Sequence, residues 1–239
     1  MNWKMEKEKL SLIKKQGETE YLVFPGLEAT EAVTHLFSTR LGGVSKGHLS
    51  SMNLSFTRGD EEEYVRENYR RIAKILNCDM GDFVFSHQTH TTNVRIVTEE
   101  DRGKGLTKDL DFQDVDGLVT NVPGLVLSTF YADCVPIFLV ESVNRVIGLC
   151  HSGWRGTVGR ISEKTIEKME LLGAKRENIR AAIGPSICQD CYEIGEDVAA
   201  EFVREFASHQ EEILREKGAG KYLLNLWKAN ELVLTDAGI

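Results

Sequence analysis

The 239-residue sequence is poor in proline and histidine, with four and six respectively, and it has no long apolar run. No stretch reaches the ~18 consecutive apolar residues of a membrane-spanning helix, so no membrane association is expected. Residues 1–21 carry charges throughout and lack the apolar segment of a secretory signal. The sequence therefore predicts a cytoplasmic protein.

An excess of positive charge is also missing. Acidic residues number 37 against 29 Lys and Arg, which gives a formal net charge of -8 and a pI near 5.4. This balance argues against a broad basic surface for nucleic acid, although it is compatible with a local anion site. Hydrophobic residues at 41% and charged residues at 28% are typical of a globular chain with a substantial core.

Five cysteines are present, and structural disulfides are rare in the cytoplasm. Buried thiols, metal ligands or nucleophiles are therefore expected rather than bridges at Cys78, Cys134, Cys150, Cys188 and Cys191. Cys188 and Cys191 form a single CxxC motif. There is no second CxxC for a zinc knuckle and no clear strand–helix setting of the thioredoxin type, so neither role is favoured.

Strand and helix patterns alternate along the chain. Periodicity and end signals predict helices over 60–77, 157–173, 195–209 and 224–238. For the first of these helices, Asp60 and Glu63 suggest a capping box. Apolar segments predict strands at 21–24, 33–39, 116–120 and 145–151, and within 82–97, 125–140 and 179–187. The mixture predicts an α+β or mixed-sheet α/β fold in which helices cover β layers, with residues 1–239 as one domain.

Three short segments place metal-ligating side chains on polar bends or strand ends. They are "SHQTHTT" with His90, "YADCVPIFL" with Asp133 and Cys134, and "LCHSGWRGT" with His151, Trp154 and Arg155. Two imidazoles and a thiolate are zinc ligands of the catalytic kind, which leave a fourth position for a water whose pKa zinc lowers to about 7. The same atoms also suit a cysteine hydrolase, with Cys134 as nucleophile and His151 or His90 as base. The residue types do not separate these two hypotheses.

A glycine-rich loop supplies a candidate anion site. In "RLGGVSKG" (40–47), backbone amides near Gly43 and the guanidinium of Arg40 are suited to phosphate. Gln88 is a further candidate substrate-binding residue. Asp133 is notable because an unpaired carboxylate at the edge of a core is costly. It is the candidate proton carrier because it is the carboxylate nearest in sequence to a candidate ligand. Arg155 is a second candidate cation for an anionic substrate.

Six segments resemble the laccase-domain family, whose members are also called multicopper polyphenol oxidases and purine nucleoside phosphorylases. The segments occur in the family's order, and they are "HLFSTRLGGVSKGHLSSMNLS" (35–55), "HQTH" (87–90), "DVDGLVT" (114–120), "ADCVPIFL" (132–139), "GLCHSGWRGT" (148–157) and "AAIGPSICQDCYEIGEDV" (181–198). The resemblance implies metal ligands at His90, Cys134 and His151. It also implies a monomeric single domain with α/β/β/α layers.

The resemblance further implies zinc-dependent phosphorolysis of adenosine, inosine, guanosine and methylthioadenosine, together with adenosine deamination. Two departures accompany it. Thr89 stands where an apolar residue is more usual, and the chain stops at "TDAGI", where family members continue into a Cys-containing stretch and an aromatic–Ser–x–Arg–Arg segment. The expectation is that this C-terminal wall of the pocket is missing, which leaves a non-catalytic, partner-binding protein as an alternative.

Histidine content separates the oxidase hypothesis from the others. A four-copper laccase needs on the order of ten histidine ligands, whereas the sequence has only His35, His48, His87, His90, His151 and His209. A four-copper site is therefore excluded. A single copper bound at the predicted zinc site, with weak phenol oxidation, remains an alternative.

Overall fold

The computed structural model describes residues 11–239. The strands of this region are β1 (Leu12–Gln16), β2 (Thr19–Val23), β3 (Phe37–Ser38), β4 (Phe83–Phe85), β5 (Val94–Ile96), β6 (Gly117–Thr120), β7 (Val126–Ser128), β8 (Val135–Glu141), β9 (Val146–Ser152), β10 (Ile179–Ile183), β11 (Glu193–Gly195), β12 (Leu214–Gly218) and β13 (Lys221–Leu224). The α-helices are α1 (Pro25–Glu28), α2 (Glu62–Leu76), α3 (Trp154–Val158), α4 (Ile161–Leu171), α5 (Glu196–Glu205), α6 (Gln210–Ile213) and α7 (Leu226–Asp236). Within residues 11–239, no helix combines the length and the apolar character needed to cross a membrane.

A five-stranded sheet with the order β10-β8-β9-β6-β5 forms the centre of the molecule. All its pairs are antiparallel except β5 and β6, which are parallel. The pair β8 and β9 is the longest, and its register sets Val135 opposite Ser152 and Pro136 opposite His151. Because side chains alternate along a strand, each of these strands sends every second residue to each face.

One face of the central sheet is covered by helices. Ile137 of β8 and Cys150 of β9 are fully buried there in one apolar cluster with Ile166 and Met169 of α4. Gly148 lets α4 approach closely, because a Cβ at this position would lie 2.9 Å from the sulfur of Met169. This face of the sheet is therefore a packed apolar core.

The other face carries a second β layer. Leu118 of β6 packs in a cluster with Val84 of β4, and β4 pairs in parallel with β7. Phe83 and Phe85 point the opposite way and pack against Tyr69 of α2, among other residues. The order helix, central sheet, smaller sheet, helix confirms the predicted α+β class with layered mixed sheets.

Two local predictions were wrong. The helix predicted over 157–173 is divided into α3 and α4, because Arg160 lies in the left-handed region with φ of 57° and pairs with acidic groups on three sides. The capping box of Asp60 and Glu63 does not form. Helix α2 begins after Glu61 with no side-chain cap, while Asp60 accepts a hydrogen bond from Asn53 at 3.0 Å.

Candidate metal centre

Three side chains that are distant in sequence meet at one end of the central sheet. His90 lies in the loop between β4 and β5, Cys134 immediately precedes β8, and His151 lies near the end of β9. Their candidate ligand atoms all lie within 4.8 Å of one another. Within residues 11–239, no second group of three His, Cys, Asp or Glu side chains brings its ligand atoms this close together. His90 is exposed, Cys134 is half-buried and His151 is 5% exposed, so the cluster opens to solvent on one side.

The β8–β9 register explains how two of the ligands meet. Pro136 of β8 lies opposite His151 of β9. Cys134 comes two residues before Pro136, so it lies at the same end of the strand pair as His151. His151 and Cys150 are neighbours in sequence, but they face opposite sides of β9, and only the imidazole reaches the cluster.

The third ligand is positioned by a buried carboxylate, Asp116, which sequence reasoning did not single out. Its Oδ1 accepts the backbone N–H of His90 at 3.1 Å and lies 2.8 Å from Nδ1 of His151. Its Oδ2 accepts the N–H groups of Thr89 and Thr91 at 3.1 and 2.8 Å, and the Thr91 hydroxyl at 3.0 Å. The side chain is fully buried, and a buried charge requires such partners. Asp116 therefore holds the His90 turn and the His151 ring with one group.

These contacts also determine the charges at the centre. Burial alone would raise the pKa of Asp116, but hydrogen bonds from His151, Thr91 and Thr89 lower the pKa to about 2. Burial alone would lower the pKa of His151, but its hydrogen bonds to Asp116 and Cys134 raise the pKa to about 9. A His151 whose Nδ1–H donates to Asp116 presents Nε2 as its ligand atom.

Gly153 keeps space at the cluster. A Cβ at this residue would lie 2.8 Å from the sulfur of Cys134 and 3.1 Å from Cδ2 of His90. Its φ of −73° is ordinary, so the restriction is steric rather than conformational. Two imidazoles and a thiolate around this space fit a zinc ion or a copper ion, because both metals accept nitrogen and sulfur donors.

The cluster faces a cavity of about 1690 Å³. Its walls come from the inner face of the central sheet, including Phe138 and Ile147, and from the β1–β3 region, including Phe37. The same cavity is lined by predicted site residues, namely Arg40, Gln88, His90, Asp133, Cys134 and His151. The fold thus brings most of the sequence-predicted residues to one cavity.

Gln88 connects the His90 loop to the segment before β8. Its Nε2 donates to the Phe130 carbonyl at 2.7 Å, and its Oε1 accepts the Phe130 N–H at 2.7 Å and the Ser86 hydroxyl at 2.9 Å. The amide is thus engaged with protein groups at both ends. Gln88 holds two walls of the cavity at a fixed distance.

The glycine-rich loop is held against the Ser50–Ser51 segment by hydrogen bonds. The Gly43 N–H donates to the Ser51 hydroxyl at 3.1 Å, and a Cβ at Gly43 would lie 2.0 Å from the Ser51 carbonyl oxygen. Arg40 donates from Nε and Nη2 to the Ser50 carbonyl at 3.0 and 2.6 Å. Glycine is therefore required at 43 by the close approach of the two loop segments.

Asp133 and Arg155 are both exposed. The Asp133 carbonyl accepts the Ile187 N–H at 2.9 Å, and the Arg155 guanidinium stacks 4.3 Å from the Trp154 ring. Arg155 does not line the cavity. Tyr192, which the sequence did not point to, is half-buried close to both: burial raises its pKa, and the charges of Cys134, Arg155 and Asp133 modify it further.

A sequence signal for Asp116 does exist. It precedes a strand, Gly117–Thr120, whose four residues are all buried. A carboxylate that directly precedes such a strand must find partners inside the protein, and the polar "QTHTT" segment offers backbone N–H donors.

Several known proteins are similar to this chain in sequence or in structure. A Deinococcus radiodurans protein described as a purine nucleoside phosphorylase is 42% identical over 208 residues, covering 87% of this chain and 76% of that protein. Adenosine deaminase RL5, from an unknown prokaryotic organism, is 37% identical over 225 residues, covering 93% of this chain and 84% of that protein. The crystal structure of the Bacillus licheniformis hypothetical protein YfiH superimposes with a TM-score of 0.85 at 30% identity, covering 95% of this chain and 84% of that one.

The family profile described as multi-copper polyphenol oxidoreductase laccase matches residues 34–239. That range includes the three candidate metal ligands and the buried carboxylate that orients them. The resemblance inferred from the six sequence segments is confirmed, and the chain belongs to this laccase-domain family.

Proposed function

We propose that this chain is a zinc-dependent purine nucleoside phosphorylase with accompanying adenosine deaminase activity. The observation that carries the proposal is the His90, Cys134 and His151 cluster, open on one side to a large cavity. The names of the two curated relatives supply the substrate class. The proposed substrates are adenosine, inosine, guanosine and methylthioadenosine with phosphate, and the proposed setting is a cytoplasmic monomer that binds no nucleic acid.

The roles of the chain's own residues at the metal follow from their contacts. His90, Cys134 and His151 would hold the ion, and Asp116 keeps the His151 proton on Nδ1, which directs Nε2 to the metal. Zinc, when bound, supplies Lewis acidity and lowers the pKa of a water ligand to about 7. Asp133 is exposed beside Cys134, where a carboxylate can carry protons to and from a purine during deamination.

Phosphorolysis requires groups other than the candidate metal ligands. An oxygen of hydrogen phosphate bonds to C1′ of the sugar and the C1′–N9 bond breaks. The proton that the phosphate gives up is the one the departing purine gains at nitrogen. Arg40, which lines the cavity, is the proposed cationic contact for phosphate, with the Gly43 loop shaping that side of the site. Arg155, which lies outside the cavity lining, is the second proposed cation. The Ser50 carbonyl fixes the Arg40 fork while the guanidinium retains further donors. Gln88 would maintain the width of the cavity so that nucleoside and phosphate are aligned.

Product analysis tests the proposal directly. Purified zinc-loaded protein is incubated with adenosine, with and without phosphate, and the products are separated. We expect adenine and ribose 1-phosphate only when phosphate is present, and inosine in both conditions. Cys134→Ala should abolish both activities, whereas Cys150→Ala, which changes a thiol on the other face of β9, should retain them. If the wild type forms neither product above the Cys134→Ala background, the proposal is wrong.

A cysteine hydrolase is the second candidate, and one observation favours it. His151 is a hydrogen-bond partner of the Cys134 thiol and of the Asp116 carboxylate. Cys134 could therefore act as nucleophile and His151 as its base, with Asp116 orienting the imidazole. Metal analysis separates the two functions. A stoichiometric ion that is lost in His90→Ala supports the metal enzyme, whereas metal-free protein with a rapidly alkylated Cys134 supports the hydrolase.

Copper remains an alternative ion for the same ligands. The other histidines of the described region have different partners: His35 accepts the Phe24 N–H at 2.9 Å, and His209 lies 2.7 Å from a Glu212 oxygen. None of these contacts brings His35 or His209 to the cluster of His90, Cys134 and His151. Comparing phenol oxidation by copper-loaded and zinc-loaded protein with nucleoside turnover decides which metal serves the main reaction.

A further inference from the structure

The CxxC motif forms a close pair of thiols outside the metal centre. Sγ of Cys188 and Sγ of Cys191 lie 3.0 Å apart across the single 3₁₀ turn formed by Gln189–Cys191. Cys188 is half-buried and Cys191 is exposed, so small molecules can reach the pair. The sequence disfavoured a redox role because the motif lacks a thioredoxin-like setting, but spacing alone could not show that the two sulfur atoms meet.

The turn is anchored on both sides. Before it, the Ile187 N–H donates to the Asp133 carbonyl at 2.9 Å. After it, the Tyr192 carbonyl accepts the Leu224 N–H at 3.0 Å, and Asp190 within the turn pairs with Arg215. Because these contacts involve neighbouring residues and leave both thiols accessible, the sulfur atoms are held close without being enclosed.

The electrostatics of the pair differ from those of the buried cysteines. The hydrogen bond from Cys191 lowers the pKa of Cys188, while the same contact raises the pKa of Cys191. Burial raises the pKa of Cys150 to about 12 and that of Cys78 to about 11. Since the thiolate is the reactive form in disulfide exchange, Cys188 is the expected attacking thiol of the pair.

We propose that Cys188 and Cys191 form a redox-active dithiol that exchanges with low-molecular-weight disulfides. The Cys188 thiolate attacks one sulfur of the small disulfide, forming a mixed disulfide and releasing one thiolate. The Cys191 thiolate then attacks the Cys188 sulfur, closing the intramolecular disulfide and releasing the second thiolate. The protein dithiol is oxidised by two electrons, the small disulfide is reduced to two thiols, and the two protein protons balance them.

Mass spectrometry of alkylated peptides tests this inference on the metal-loaded protein. The protein is incubated with excess oxidised glutathione at neutral pH, quenched with acid, denatured and labelled with N-ethylmaleimide. Trypsin cleavage after Arg180 and Arg204 releases both cysteines in one peptide that contains no other cysteine. We expect this peptide to lose both labels and two hydrogens, and to recover both labels after treatment with dithiothreitol.

Two variants identify the steps. Cys191→Ser should stop at a glutathione adduct on Cys188 and form it at nearly the wild-type rate. Cys188→Ser should react about tenfold more slowly, because the backbone N–H groups of Asp190 and Cys191 that lower the pKa of a thiol at position 188 do not serve position 191. The Cys150 peptide should keep its label throughout as an internal control.

Persistence of both labels in the wild-type peptide under excess oxidised glutathione contradicts the proposal. So does a wild-type reaction that stops at the mixed disulfide. Both results come from the unmodified protein, so neither depends on a variant that fails to fold. The readout is also independent of nucleoside turnover, so it stands or falls separately from the proposed function.

Discussion

The two faces of β9 have opposite chemistry although their residues alternate along one strand. Cys150 faces the helix layer, where it is fully buried among apolar side chains and its pKa is raised to about 12. His151, the next residue, faces the cavity and is hydrogen-bonded to the buried carboxylate of Asp116. The difference shows that reactivity here depends on which layer a side chain enters. A thiol beside a candidate metal ligand in sequence can still be an inert part of the core.

Replacing each of the two thiols by alanine should give the largest difference in metal binding. Cys134→Ala removes the only sulfur ligand of the cluster, so we expect loss of stoichiometric metal binding, measured by elemental analysis of the purified protein. Cys150→Ala should keep the metal and lower the free energy of unfolding by about 1 kcal/mol through lost packing. Equal metal content in the two variants would contradict the assignment of Cys134 as a ligand.

The second largest effect should be a pH dependence of metal affinity that comes from His151, on the cavity face of β9. The pKa of His151 is about 9 in the metal-free protein, and a metal must displace that proton. Displacement of this proton should therefore make affinity rise by up to about tenfold per pH unit until the pH reaches about 9, in titrations with a buffered metal indicator.

The stability of the metal-free protein should change in the opposite sense. Because the folded-state pKa of His151 is raised from 6.5, its contribution to stability is complete below pH 6.5 and is lost as the pH rises through about 9. Cys150, with a pKa near 12, should remain neutral throughout this range. A His151→Gln variant that keeps the same pH dependence would assign the effect to another group.

Removal of the Asp116 charge should weaken the site without removing a ligand. Asp116→Asn replaces an acceptor of five contacts, so we expect metal affinity to fall by about 10- to 100-fold. The matched control is Asp114→Asn, since Asp114 is exposed and its carboxylate accepts the Thr89 hydroxyl rather than contacting a ligand. Similar affinities for the two variants would show that Asp116 does not orient the ligands.

Filling the space beside the ligands should give the smallest effect. In Gly153→Ala, the new methyl would meet the Cys134 sulfur at 2.8 Å, and we expect about a tenfold loss of metal affinity as the ligands shift. Gly26→Ala is the control, because a Cβ there meets no atom within 4 Å. Unchanged affinity in Gly153→Ala would mean that the ligands adjust freely around this space.

Local patterns identified the elements that have a strong signal of their own. Val65, Tyr69 and Ile72 form the buried stripe of α2, and the apolar strands β8 and β9 overlap the predicted segments 125–140 and 145–151, each ending one residue later. The hairpin β12–β13 was not predicted, because its residues are mostly charged or exposed and its stability comes from pairing. The break between α3 and α4 had only a weak local signal, Gly159 at the end of α3, and the left-handed Arg160 after it pairs with Glu205 and Asp236, which lie far along the chain.

The sequence by itself determined the mixed α and β layers, the family and the identity of the three candidate ligands, because these depend on residue type and on short motifs. Only the tertiary structure decided that the ligands meet, that Asp116 orients two of them, and that the Cys188 and Cys191 sulfur atoms lie 3.0 Å apart. The physical reason is that strand register and loop packing join residues that no local pattern relates. A buried carboxylate and a pair of thiols acquire their chemistry from the neighbours that this packing supplies.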